Sequence, residues 1–299
     1  MLPMGESMAL WIPFTIFAAF MQAWRNAFQN RLSKEVSTAG VTLARFLWAS
    51  PLAACYLAGL YLYKPVALPV VTGSFVALIL LAAVAQIIAT ALMVVLFRQR
   101  NYAIGVGLAK SEAVIAAVLG ALFFSAPLSA LAWAGVIIGA LAFWLMTNPG
   151  ALRKVSLNTL LVGLGSGLSF ALTTLWVREA SLTLGLPFPY SAAWVLLAVI
   201  LVQTLLLGAW VAWRERGTLL ALWQRPGQIV SISLFSCLGS LGWFTAMSLE
   251  TVALVKTLGQ IEVLFTLMIS ARWFRETLSS RDLVGLALIV VGAVCVMLA

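Results

Sequence analysis

Hydrophobic and polar positions are distributed along this chain in long blocks. Apolar runs of about 20 residues, the helix length that crosses a bilayer core of roughly 30 Å, are separated by short polar or charged segments. The runs predict ten membrane-spanning helices, at residues 8–28, 39–61, 73–97, 103–124, 128–146, 157–177, 190–213, 229–249, 251–274 and 282–298. The alternating ten-residue segments of a membrane β-barrel are absent from the sequence. The predicted fold class is therefore an all-α integral membrane protein.

The two halves of the sequence resemble each other at an offset of 150 residues. From the third span onward they align without a gap, and the identities at that offset include Ala103, Leu108, Glu112, Leu128, Ser129 and Gly135 with Ala253, Leu258, Glu262, Leu278, Ser279 and Gly285. Chance explains single Leu and Ala identities, but not the Glu pair in a gapless register. Five spans in each half place the halves upside down relative to each other. We therefore expect two inverted five-helix repeats, residues 1–150 and 151–299, around a central cavity, an arrangement typical of secondary transporters.

Composition supports a surface that faces lipid. Hydrophobic residues make up 63% of the 299 residues and charged residues 9%, whereas soluble domains carry about 25% charged residues. The net charge of +9 does not indicate nucleic-acid binding, which needs a basic face on a soluble module. The charges lie mostly in short connectors, where contact with anionic lipid head groups is the expected role.

The distribution of Lys and Arg predicts the orientation. Short cytoplasmic loops are enriched in these residues, and the even-numbered connections hold only Lys64 and, at a span end, Arg178. The odd-numbered connections hold 12, namely Arg31, Lys34, Arg98, Arg100, Arg153, Lys154, Arg214, Arg216, Arg225, Arg272, Arg275 and Arg281. Both termini are therefore expected outside.

The sequence offers little for catalysis. It has no histidine, and its three cysteines lie in apolar runs, so neither a metal site nor a disulfide framework is indicated. A nucleotide-binding G-x-x-x-x-G-K-[ST] loop is absent. We expect no cofactor, no metal and no enzymatic activity. A membrane-embedded enzyme remains an alternative, but it would need convergent acid and base groups.

Several motifs resemble the drug/metabolite transporter superfamily and, more narrowly, its EamA-type branch. They are Arg45-Phe46, Lys110-Ser111-Glu112-Ala113-Val114, Gln260-Ile261-Glu262-Val263-Leu264, Phe274-Arg275-Glu276-Thr277-Leu278 and Gly285-Leu286. The size of the chain is similar to that of YddG-type aromatic amino-acid exporters. The first half departs from the pattern, because Ser125-Ala126-Pro127 replaces the acidic turn. The resemblance implies a helical basket around a central cavity, a multi-pass protein of the bacterial inner membrane, and a monomer or weak homodimer.

Polar stripes at helical spacing predict the substrate site. Polar side chains inside a membrane are costly and mark pathways. The predicted substrate contacts are Gln22, Asn26, Gln86, Thr90, Trp176, Ser240, Trp243 and Gln260. Structural alternatives remain: Arg25 and Gln29 could snorkel to head groups, and Ser233 and Ser236 are expected to serve helix packing.

The ionisable groups in the spans form a second set. Possible coupling or charge-pair residues are Arg45, Lys110, Glu112, Lys256 and Glu262. Glu112 and Glu262 occupy equivalent positions in the two halves, and each could carry a coupling proton, bind an ammonium group or pair with a buried cation. Lys110 and Glu112 are two apart on a helix, so each must find its partner elsewhere.

These patterns predict a secondary transporter that exports small amphipathic metabolites, above all aromatic and hydrophobic amino acids, by alternating access. Its partners would be the small-molecule substrate and membrane lipid. The alternative within the superfamily is an exporter of multiple drugs or cationic compounds that uses Glu112 or Glu262. A structural or receptor subunit is a further alternative, although such a protein would not need polar stripes on equivalent helices.

Overall fold

A computed structural model describes residues 4–98, 109–124, 128–146, 156–269, 272 and 280–299, and for residues 4–9, 143, 146 and 282 it describes the backbone only. The regular elements in this part of the chain are helices: α1 Met4–Leu32, α2 Thr38–Ala44, α3 Ala49–Tyr63, α4 Gly73–Phe97, α5 Glu112–Phe123, α6 Ala130–Met146, α7 Leu157–Thr183, α8 Tyr190–Arg214, α9 Arg216–Trp223, α10 Pro226–Leu249, α11 Val252–Leu258, a 3₁₀ turn Gly259–Ile261, α12 Glu262–Ile269 and α13 Ser280–Met297.

Length and composition make six described segments suitable for crossing a membrane. They are Thr38–Tyr63, Gly73–Phe97, Leu157–Thr183, Tyr190–Arg214, Pro226–Leu249 and Val252–Ile269. Shorter apolar helices cover Glu112–Phe123, Ala130–Ala142 and Leu283–Met297. The all-helical class is confirmed for the described residues, while the full count of ten spans stays a prediction.

Two predicted spans are interrupted. The second is split by a turn at residues 45–48, between α2 and α3. The ninth is divided into α11 and α12 by the 3₁₀ turn Gly259–Ile261. The sequence also did not predict α9, a short helix between the seventh and eighth spans. The start of the fourth span at Ala103, the turn at residues 125–127 and the block at residues 274–278 lie outside the described residues.

Local capping explains several helix ends. The hydroxyls of Ser37, Thr72 and Ser156 each accept a hydrogen bond from a backbone N–H three residues later, at the starts of α2, α4 and α7, which satisfies donors that the first helical turn leaves open. Pro226 occupies the first turn of α10, where its missing N–H costs nothing. After α7 the chain turns at Gly185, whose φ of 60° is a conformation that favours glycine.

The closest helix pairs each join the two halves of the chain. The most extensive interfaces are α4 with α7, α1 with α10, and α6 with α13. Contacts show that these pairs run antiparallel. Between α1 and α10, Gly239 lies against Gln22 and Gly242 against Phe14. Between α6 and α13, Gly135 lies against Val296 and Gly139 against Gly292. Between α4 and α7, Gly165 lies against Leu92, and the Ser166 hydroxyl donates to Ala89 O at 3.0 Å. The core therefore lies between the halves, and each half is packed mainly against the other.

Candidate functional site

Glu262 is the centre of a buried polar network. Its side chain is 2% exposed and lies in the first turn of α12. Gln22 Nε2 donates to one carboxylate oxygen at 2.6 Å, and Asn26 Nδ2 donates to the other at 2.8 Å. Lys110 forms an ion pair with the same carboxylate. A buried charge needs such partners because water cannot solvate it, and here three side chains of the first half supply them.

Glu112 forms a second ion pair between the halves, in which the lysine belongs to the second half and the carboxylate to the first. Lys256 Nζ lies 2.7 Å from Glu112 Oε1, and the same ammonium lies 4.2 Å from the centre of the Trp243 ring. Trp243 Nε1 in turn donates to Gln22 Oε1 at 2.9 Å. The two ion pairs are therefore joined through Gln22 and Trp243. The prediction that Lys110 and Glu112 find separate partners is confirmed.

Both carboxylates lie at the start of a helix inside the bundle. Glu112 is the first residue of α5, and Glu262 is the first residue of α12. The N-terminal end of a helix carries a partial positive charge that stabilises a carboxylate. Discontinuous helices with their ends at mid-membrane are a recurring feature of transporter sites. For Glu262, the 3₁₀ turn Gly259–Ile261 places this helix start within the ninth span.

Glycines allow close packing at these two helix starts. A Cβ added to Gly167 of α7 would meet Ala109 O at 3.0 Å and Glu112 N at 3.3 Å. A Cβ added to Gly139 of α6 would clash with the side chain of Gln260, in the 3₁₀ turn. Gly167 therefore lets the α7 backbone approach the start of α5, and Gly139 leaves room for the side chain of Gln260.

A small cavity lies within this network. Its walls include Gln22, Lys110, Glu112, Trp243, Lys256 and Glu262, and Gln260 also lines it. Its volume is about 20 Å³, and roughly 10–15 Å³ is the least that holds a water molecule. The structure therefore shows a closed polar centre with space for water, not for a metabolite.

Two buried arginines extend the positive charge of this region. Arg25 and Arg45 are each 3% exposed. Arg25 donates to Asn26 Oδ1 at 2.8 Å, and Arg45 Nη1 donates to Thr90 Oγ1 at 2.6 Å. Gln29 is also buried and donates to Val41 O at 3.3 Å. The alternative that Arg25 and Gln29 reach out to lipid head groups is therefore wrong.

Five predicted substrate contacts do not line the cavity, although one of them, Asn26, donates to Glu262 in its wall. Gln86 accepts a hydrogen bond of 2.6 Å from Gln203 Nε2 on α8, and Thr90 accepts from Arg45. Ser240 is buried on α10, and Trp176 packs against the hydrophobic core. All eight substrate contacts stay predictions, and Gln22, Trp243 and Gln260 are the three that line the cavity in this conformation.

The serines that were expected to serve packing fall into two groups. Ser233 Oγ donates to Ala44 O at 2.7 Å and accepts from Trp48 N at 3.1 Å, which confirms its structural role at the interruption of the second span. Ser236 is buried on the same helix. Its hydroxyl has no hydrogen-bond partner among the described residues.

Sequence reasoning missed the helix interruptions and the role of Gln203. Gln203 is fully buried, and a lone amide in the apolar seventh span was a signal for an interhelical hydrogen bond. The Gly259-Gln260 pair was a weak signal for the interruption in the ninth span, because glycine lowers helix stability. The turn at residues 45–48 had no such signal.

Comparison with known protein families finds a match for the second half of the chain. Residues 157–298 match the EamA-like transporter family. This EamA-like domain begins at the first residue of α7 and includes Trp243, Lys256 and Glu262. Together with the long apolar helices, it makes the chain an integral multi-pass membrane protein and indicates a membrane transporter of a small molecule.

The remaining comparisons concern the whole chain. A solved protein crystal structure has the same fold, with a TM-score of 0.73 over 98% of both chains and 14% sequence identity. At this identity the likeness shows the fold alone. No curated protein matches the chain in sequence.

Proposed function

We propose that this protein is a secondary transporter that exports small amphipathic metabolites, above all aromatic and hydrophobic amino acids, by alternating access. Its two halves, residues 1–150 and 151–299, act as inverted five-helix repeats, in the bacterial inner membrane with both termini outside. The proposed substrate contacts at the closed centre are Gln22, Asn26, Trp243 and Gln260, with the charged groups Lys110, Glu112, Lys256 and Glu262 beside them.

The reciprocal ion pairs carry this proposal. Lys110 and Glu112 of the first half each bind a residue of the second half, Glu262 and Lys256 respectively. Equivalent carboxylates that reach across to the opposite half are expected where two repeats enclose a shared site near the midplane. Separating the halves on either side requires these contacts to rearrange, which couples opening of the site to its charges.

The helix contacts support the repeat. At an offset of 150 residues, α1 corresponds to α7 and α4 to α10, so the α1–α10 and α4–α7 interfaces are equivalent. Helix α6 corresponds to α13, so the α6–α13 interface joins two equivalent helices. The pairing of α3 with α8, where Ser50 Oγ and Thr204 Oγ1 lie 2.9 Å apart, also joins equivalent spans. Antiparallel pairing of equivalent helices is what an inverted repeat requires.

The chemistry of the centre suits an amino acid better than a lipophilic cation. Trp243 offers an aromatic face, and Gln22, Asn26 and Gln260 offer amide groups that can exchange hydrogen bonds with a polar end. Specific binding sites commonly combine an apolar wall with a few polar groups. Each carboxylate that a cationic drug would need already holds a lysine.

Transport of labelled amino acids into proteoliposomes tests the proposal. Phenylalanine, leucine and a small polar amino acid are compared, with and without a pH gradient. Saturable uptake of phenylalanine that unlabelled leucine inhibits is expected. The proposal fails if no amino acid shows saturable flux, and flux of a lipophilic cation that Glu262→Gln abolishes would favour the cationic-compound exporter.

A further inference from the structure

Positive charges outnumber negative charges among the described side chains at the centre. Among the described residues, four cationic side chains, Arg25, Arg45, Lys110 and Lys256, lie in this region with two carboxylates, Glu112 and Glu262. Each lysine has one carboxylate as its ion-pair partner. The described contacts leave both arginines with uncharged acceptors, and the region has an excess of two positive charges.

Arg45 has unused binding capacity. Its Nη1 donates to Thr90 Oγ1, but its buried Nε has no hydrogen-bond partner among the described residues. A guanidinium is a rigid donor fork that fits a carboxylate with two parallel hydrogen bonds. Arg25 lies close enough to interact electrostatically with Arg45. Glu112 offsets part of this repulsion, and a further anion beside the two buried cations would stabilise them more.

We propose that Arg25 and Arg45 form a subsite for the carboxylate group of the transported substrate. This inference rests on the proposed function. It identifies the carboxylate as the group that a substrate must have in order to bind. The ammonium group of an amino acid is then not required for binding. A molecule that has only an ammonium group is excluded, because the region already carries excess positive charge.

An open hollow lies at one end of the bundle, on the same helix as the partner of Arg45, Thr90. Phe97 lies two helical turns, or about 10 Å, beyond Thr90 on the same face of α4. Together with Arg98 and residues 33–37 it lines an open hollow at the connection between α1 and α2. This connection is on the predicted cytoplasmic side, the side from which an exported substrate enters.

A binding assay with three matched ligands tests the subsite. Phenylalanine, 3-phenylpropionate and phenethylamine share the phenyl ring and differ in their charged groups. Protection of the purified protein against thermal unfolding is measured for each ligand and for inorganic phosphate. Phenylalanine and 3-phenylpropionate are expected to protect, whereas phenethylamine and phosphate are not. Equal protection by phenethylamine overturns the proposal, and equal protection by phosphate overturns the assignment of the anion as a carboxylate.

Variants link the effect to the two arginines. Arg25→Gln and Arg45→Gln are expected to weaken 3-phenylpropionate binding by about tenfold or more, the usual effect of removing one partner of a charged hydrogen bond. Arg45→Lys keeps the charge and should lose less. Arg216→Gln, at an exposed position of α9, is the matched control and should bind normally. Unchanged binding in both glutamine variants would contradict the proposal.

The two proposals can fail separately. Loss of saturable amino-acid flux with 3-phenylpropionate binding intact would remove the transport function but keep the carboxylate subsite. Saturable phenylalanine flux that phenethylamine inhibits as well as 3-phenylpropionate does would keep the transport function and remove the subsite.

Discussion

Lys110 and Glu262 form an ion pair inside the helix bundle, although 152 positions separate them in the chain. Lys256 and Glu112 form the reciprocal pair at 2.7 Å. The two carboxylates are equivalent under the 150-residue offset, but the two lysines are not. Each half therefore depends on the other for the neutralisation of its buried carboxylate. This dependence makes the ion pairs the first contacts to test.

Glu262→Gln should destabilise the protein. The substitution leaves the Lys110 ammonium without its carboxylate, and breaking a buried ion pair by removing one partner costs about 3–5 kcal/mol. Thermal unfolding of the purified protein in detergent measures the loss. Lys110→Met combined with Glu262→Gln should recover part of it, because the ammonium that lost its carboxylate is then removed as well.

The surface pair of Glu35 with Arg225, at 2.9 Å, provides the control. Glu35→Gln should change stability by less than about 1 kcal/mol, as is usual for exposed ion pairs. Equal losses of stability in Glu35→Gln and Glu262→Gln would contradict the importance of the central pair. So would a Lys110→Met, Glu262→Gln double variant whose loss of stability equals the sum of the losses in the two single variants.

Trp243→Phe should weaken substrate binding. The substitution keeps an aromatic face near Lys256 but removes the Nε1 donor that Gln22 Oε1 accepts at 2.9 Å. Loss of one such hydrogen bond costs about 0.5–1.5 kcal/mol, which corresponds to a rise in KM of roughly two- to twelvefold. Uptake kinetics measure it. Trp223→Phe, at an exposed indole, should leave KM unchanged, and an equal rise there would argue against a role of Trp243 at the site.

Gly259→Ala should disturb the cavity directly. A Cβ at this position would collide with the ring of Trp243, and forcing an extra methyl group into a packed core costs about 1–3 kcal/mol. We expect lower stability and slower transport. Gly208→Ala on α8 is the matched control, since nothing lies within 4 Å of its added Cβ, and alanine is favoured in a helix. Normal transport in Gly259→Ala would show that the close packing is dispensable.

Gln86→Leu distinguishes a structural role from a substrate contact. The substitution removes the acceptor of Gln203 Nε2, and leaving a buried donor without its partner costs about 1–3 kcal/mol. A lower thermal midpoint with an unchanged KM is therefore expected, and Gln203→Leu added to it should restore stability. A raised KM with an unchanged thermal midpoint would instead support the predicted contact between Gln86 and the substrate.

Part of the site could be predicted from the sequence because it depends on local periodicity. Gln22 and Asn26 recur at helical spacing, so they had to share one face of α1, and both donate to Glu262. Gln86 and Thr90 share a face in the same way, yet their partners are Gln203 and Arg45. Periodicity determines which side chains point together, but it does not determine which helix they meet.

The sequence by itself determined that the chain is helical and embedded in a membrane, because long apolar runs leave too few charges to solvate a soluble surface. It also indicated that Glu112 and Glu262 are equivalent, through the offset that aligns them. Only the tertiary structure decided which lysine neutralises which carboxylate and where the helices are interrupted. The physical reason is that these outcomes depend on contacts between residues far apart in the chain. The free energy that these contacts contribute outweighs the local preference for a continuous helix only once the helices are packed together.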